Sequence, residues 1–147
     1  MYRHLLVPID DTDLSVEVVG NAVALARALG ARITFFHAVE DHAGSLRGEA
    51  DAVRLASPRD YDYAVVGRAR ELLAKAEAAA RAFGVPCESR QVVHDRPAQA
   101  IVEAARDAAC DLIFMASHGR SGLSALVHGS ETREVLTHSD IPTLVYR

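Results

Sequence analysis

Residues 111–136, DLIFMASHGRSGLSALVHGSETREVL, set an apolar run against a glycine loop, Gly119 and then Gly129–Ser130, that opens into a helical pattern. A chain builds a phosphate cradle in this way, because glycines carry no Cβ and let the main chain approach an anion closely. Ser130 is a good N-cap for the periodic residues after it. An anion at that helix start would meet unpaired backbone N–H groups and the positive end of the helix dipole. Glu131 stabilises such a start when it is empty and repels a polyphosphate, a charge that Arg120 and Arg133 offset.

Other reactive side chains give less. His118 lies within the loop and would be the general base if there were one, but loop imidazoles more often brace backbone or face solvent. Ser117, Ser121, Ser124 and Ser130 have no GxSxG elbow around them, so serine hydrolase chemistry has no support. Cys87 and Cys110 show neither CxxC nor Cys/His ligand spacing and read as ordinary buried thiols. His37, within an apolar strand, reads as a core or site-lining histidine. No catalytic residue and no protein-held metal are assigned, and the expectation is a binding protein rather than an enzyme.

Two familiar phosphate loops are excluded directly. A Walker loop needs GxxxxGK[ST], and the single lysine, Lys75, sits in a helical stretch. A dinucleotide fingerprint needs GxGxxG after the first strand, where this chain has DDTDLS.

The elements that must position the loop follow from periodicity. His4 to Ile9 is a short apolar run that empties into a turn at Pro8–Asp10. Thr12 can cap the helix after it, with Leu14, Val18, Ala22, Leu25 and Leu29 at helical spacing and Gly30 as its C-terminal glycine. Arg32 to Val39 is a second strand. Glu40 to about Asp60 reads as a long polar connection broken by Gly44, Gly48 and Pro58, of a length uncommon except in a lid or a partly disordered segment. Next comes an alanine-rich helix from about Tyr63 to Phe83, with Leu72, Ala76, Ala79 and Phe83 on one side and Gly84 ending it. Val85 to Val93 alternates as a strand, Pro97 to Ala109 is a helix, and Leu112 to Ala116 a buried strand. The last helix then leads to a short strand, Ile141 to Tyr146.

This alternation predicts an α/β fold, a five-stranded, mainly parallel open sheet with helices on both faces. Ligands of such sheets bind outside the strand carboxyl ends, where strand order reverses. The turns after Ile9, Val39 and Ala116 all lie there. At 147 residues, half of them apolar, the chain suits one domain spanning 1–147. A net charge of −4 argues against non-specific binding to nucleic acid or anionic membranes. With no bilayer-length apolar stretch and no signal-peptide layout at MYRHLLVPID, a cytoplasmic location is expected.

Taken together, VPID, FFHAV, DLIFMASHG, GSET and the closing IPTLVYR resemble the universal stress protein family, whose phosphate loop is written GxxGx(9)G[ST]. The resemblance covers nearly the whole chain. It implies a Rossmann-like fold of the adenine nucleotide alpha hydrolase type and an adenine nucleotide, ATP or AMP, with Mg2+ bridging its phosphates. Carried over by position, Pro8, Ile9 and Asp10 border the nucleoside, Asp10 accepting a ribose hydroxyl bond, while Ala38 meets adenine through its backbone. Ala116, Ser117, His118, Gly119, Arg120, Gly129, Ser130, Glu131 and Thr132 surround the phosphates. The first glycine of the pattern is Ala116 here. Alanine at positive φ costs about 1–2 kcal/mol, so a native alanine implies negative φ at this position. The resemblance also implies a homodimer through Ile141–Tyr146, a sensor or regulator in the stress response, and slow hydrolysis at most. Two further readings are a dimeric stress protein that binds no nucleotide and a phosphohydrolase of related fold.

Overall fold

The computed structural model of the chain describes residues 1–11, 13–39, 58–117 and 125–146. Strands and helices alternate: β1 (His4–Pro8), α1 (Asp13–Leu29), β2 (Arg32–Val39), α2 (Pro58–Ala82), β3 (Cys87–Val93), α3 (Pro97–Asp107), β4 (Leu112–Ala116), α4 (Ala125–His138) and β5 (Thr143–Tyr146). The strands form one sheet in the order β3-β2-β1-β4-β5. Each pairing is parallel, including Leu5 with Ile33, Leu6 with Ile113, Phe35 with Ser89 and Phe114 with Leu144. The expected sheet is therefore present and wholly parallel, and its strand order reverses between β1 and β4.

Period-two alternation sorts the strand side chains into two cores. Leu5, Val7, Ile33, Phe35, Leu112 and Phe114 join Val18, Ala22 and Ala26 of α1 and Leu73, Ala76 and Ala80 of α2. On the opposite face Leu6, Phe36, Ile113 and Met115 pack against Ile101, Val102 and Ala105 of α3 and Val135 of α4. The interior strands are apolar on both faces because helices cover both. β3, at an edge, has exposed Glu88 and Arg90 instead.

Three helices end by the same device. Ala31 and Gly30 donate to the carbonyls of Ala26 and Arg27, Val85 and Gly84 to those of Ala80 and Arg81, and Cys110 and Ala109 to those of Ala105 and Arg106. These are paired 6→1 and 5→2 bonds that need a left-handed residue after the helix. Gly30 (φ 64°) and Gly84 (φ 71°) meet that need without strain, as expected from sequence, but the third position is Ala109 (φ 53°). Replacing Ala109 by Gly removes the Cβ clash and should raise stability by about 1 kcal/mol, measured by urea denaturation.

Several expected boundaries shift. α2 begins at Pro58, inside the stretch read as a connection, because proline suits a first helical position where its missing N–H costs nothing. The buried stripe of α2 runs through Ala69, Leu73, Ala76 and Ala80, leaving Phe83 exposed. Leu29 of α1 is likewise exposed, since Val19, Val23 and Ala26 fill the face it was expected to share. Thr12, the proposed cap of α1, and residues 40–57 lie outside the described residues.

Candidate functional site at the strand carboxyl ends

β2, β1 and β4 are neighbours, so the turns after them meet at one rim of the sheet. Pro8, Asp10, Ala38, Ala116 and Ser117 are half-buried there, and Ile9 is buried. The sheet thus brings together residues far apart in the chain.

Hydrogen bonds fix the rim. The Ile9 N–H donates to the Phe36 carbonyl at 2.9 Å, extending the β1–β2 ladder past Pro8. Its own carbonyl accepts from His37 Nδ1 at 2.8 Å. A carbonyl only accepts, so Nδ1 carries the proton; His37 acts as a strut from β2 to the turn. Asp10 is held by Ser15: its N–H donates to Ser15 Oγ at 3.0 Å, and that hydroxyl donates back to Asp10 Oδ1 at 2.7 Å. The carboxylate is aimed from the first turn of α1 instead of swinging freely. Ser15 was not singled out from sequence, although a hydroxyl five residues after a turn aspartate was a readable signal for such a contact.

On the β4 side the Ser117 N–H donates to the Tyr146 carbonyl at 2.8 Å, continuing the β4–β5 ladder. The Tyr146 ring stacks on Phe114, centroids 6.4 Å apart, and its hydroxyl donates to Glu17 Oε2 at 3.4 Å. Ala116 ends a regular strand and is not among the described residues with positive φ, in line with the expectation for an alanine there. Its carbonyl accepts from Thr132 Oγ1 at 3.4 Å, which ties α4 to the strand end.

One expectation is corrected. α4 starts at Ala125, so Gly129 and Ser130 lie inside the helix and Ser130 is not its N-cap. Alanine and leucine at 125 and 126 are strong helix formers, and an interior glycine costs only about 1 kcal/mol. Helical pairing directs the N–H groups of Gly129 and Ser130 to carbonyls four residues back, away from any anion. Ser130 is exposed, and Glu131 and Thr132 are half-buried. His118, Gly119 and Arg120 lie outside the described residues. Among those described, no cluster of three or more His, Cys, Asp or Glu could hold a metal ion. No helix among them is long and apolar enough to cross a membrane.

An all-parallel sheet with accessible turns gathered where strand order reverses defines a class: α/β proteins with a ligand crevice at the strand carboxyl ends. The sequence model of the universal stress protein family matches residues 1–147, and the chain belongs to that family. A universal stress protein of Thermus aquaticus, encoded in the QAH/OAS sulfhydrylase 3′ region, is 31% identical over 150 residues, covering 100% of both chains. Among solved structures, a universal stress protein in complex with cAMP has a TM-score of 0.67 at 24% identity, covering 99% of this chain; the matched share of that chain is 97%. The universal stress protein of Archaeoglobus fulgidus in complex with dAMP has a TM-score of 0.67 at 20% identity, covering 99% of this chain and 98% of its own.

Proposed function

We propose that the chain binds an adenine nucleotide, ATP or AMP, at the carboxyl ends of β2, β1 and β4, and acts in the cytoplasm as a sensor or regulator in the stress response. The observation that carries this reading is the convergence of the Pro8–Asp10 turn, Ala38 and Ala116–Ser117 on one rim, with the Asp10 carboxylate held by Ser15. Relatives of the same fold crystallised with cAMP and dAMP support it. Asp10 accepts the ribose hydroxyls, the Ala38 backbone meets the base, and the segment from Ala116 to Thr132 faces the phosphates. Asp10 and Asp11 place negative charge just before the start of α1, and Mg2+, where present, is held by the nucleotide phosphates.

The cradle comes at a conformational cost. For the N–H groups of Gly129 and Ser130 to meet a phosphate, α4 must unwind from its start through Gly129, the weakest helix former in that stretch. Micromolar affinity follows from a site that spends binding energy on this change and lacks a Walker lysine. Heating with and without ATP tests the reading: at a hundred times the dissociation constant the ligand adds about 2.7 kcal/mol. An unmoved transition at millimolar ATP and AMP would sink it.

His37→Phe should weaken binding by about 2- to 13-fold, the worth of one ordinary hydrogen bond of about 0.5–1.5 kcal/mol. His37→Asn, which keeps an N–H donor, should recover part of that loss in the same titration.

The second reading, a dimeric interaction protein that binds no nucleotide, is favoured by the unbroken run of α4 through Gly129. Either way we place a homodimer contact on β5, an edge strand pairing with β4, where Leu144 is 39% exposed.

A further inference from the structure

At the other end of the sheet, away from the nucleotide rim, the amino ends of β1, β2 and β3 share a polar chain that runs from buried His4 and Thr34 out to exposed Glu88. His4 is 4% and Thr34 0% exposed. His4 Nε2 lies 2.7 Å from Thr34 Oγ1, and Thr34 Oγ1 lies 3.1 Å from Glu88 Oε1. The proton order is set by the chain's end. An ionised carboxylate only accepts, so the Thr34 hydroxyl donates to Glu88; the threonine oxygen must then accept, so His4 donates from Nε2. In the neutral ring Nδ1 is therefore bare, and it is buried without a hydrogen-bond partner.

A proton arriving at that nitrogen creates a buried cationic N–H with no acceptor, a costly state. The charged groups around it are Arg32, Glu88, Arg90 and Asp111. Glu88 is shared with Arg90 Nη2 at 3.1 Å. Asp111 is occupied by the backbone N–H groups of Arg3 and His4. The helices over this face contribute apolar residues to its core, among them Ile101, Val102, Ala105 and Val135; its titratable member is Cys110, whose thiol meets the Thr34 side chain and is pushed up to about 11 by burial. Burial, the first cause, and then Arg32 hold the His4 ring below its ordinary value of 6.5. The sign follows: a depressed folded value means stability that is complete above about pH 6.5 and is lost as pH falls through the folded value. Glu88, lowered from 4.5 first by its bond from Thr34, adds a second loss at still lower pH.

His4 is also where β1 is fastened. Its N–H donates to Asp111 Oδ1 at 2.9 Å and its carbonyl accepts from the Asp111 N–H at 2.9 Å, next to the 6% exposed Cys110. We propose that His4 is an acid sensor: a proton taken up at Nδ1 frees the amino end of β1 from Asp111 and uncovers Cys110, a function separate from the nucleotide site.

The test uses the full chain with Cys87→Ser, which leaves Cys110 as the one thiol. A pyridyl disulfide, reactive in acid, reports its accessibility, normalised at each pH to the same protein in urea. Between about pH 7.5 and about pH 5 the normalised rate should rise about tenfold or more. With His4→Gln, which can still donate to Thr34 but does not titrate, it should stay flat. An equal acid rise in His4→Gln, or none in the parent, overturns the proposal. Nitrogen NMR of the His4 ring covers the case in which the variant fails to fold: Nδ1 should be bare at neutral pH and protonate with the opening of the thiol. A ring that keeps Nδ1 bare while Cys110 opens also overturns it.

Discussion

Phe35→Ala is expected to cost about 3–5 kcal/mol of stability. Phe35 is fully buried on β2, flanked by Val7 of β1 and Ser89 of β3, in the core that α1 and α2 close. Removing the ring deletes apolar contact and leaves a cavity between a sheet and two helices whose backbones cannot collapse freely into it. Against a typical total of about 5–15 kcal/mol, the loss is a large fraction of what holds a domain together. Urea denaturation by circular dichroism measures it, with Phe35→Leu expected to lose appreciably less. A loss below about 1 kcal/mol would mean that this core is not packed as described.

The second large effect falls on binding. Asp10→Ala should weaken ATP and AMP by about 13- to 160-fold, because hydrogen bonds to a charged group contribute about 1.5–3 kcal/mol. The effect depends on aim as well as charge. Ser15 holds Oδ1 at 2.7 Å, so Ser15→Ala should keep the carboxylate yet lose part of the affinity by letting it rotate. Isothermal titration of the two variants separates these contributions. Equal affinities in the parent and in Asp10→Ala would remove Asp10 from the site. Asp10→Ala also strips the Ser15 hydroxyl of an acceptor, so its thermal midpoint should be recorded beside its affinity.

Much of the fold was legible because it rests on local signals. Gly30 and Gly84 announced helix ends through a conformation that only glycine enters cheaply, and the apolar run Leu112–Met115 announced a strand buried on both faces. Ala109 makes the same helix end without the signal, accepting a strained φ that no reading of alanine would predict. Pro58 was read as a breaker when proline also starts helices, and only tertiary packing decides between the two.

The site was legible in part, for the same reason. VPID and FFHAV marked strand ends, and the parallel order brought those ends side by side. Ser130 looked like a helix cap, but the preceding Ala125 and Leu126 favour helix as well, so two starts compete and the structure takes the earlier one. The His4–Thr34–Glu88 chain could not be read in advance. It requires three strands in one register, and a single-residue slip would turn Thr34 to the opposite face.

The central claim is that an adenine nucleotide sits on the rim formed by β2, β1 and β4. The most direct measurement is a titration of the isotope-labelled chain with AMP and with ATP and Mg2+, following each backbone amide by NMR. Saturable shifts should concentrate at Ile9–Asp11, Ala38–Val39, Ala116–Ser117 and Gly129–Thr132, with loss of helical character from Ala125 to His128. Unchanged spectra at millimolar nucleotide, or shifts confined to other surfaces, would contradict the account.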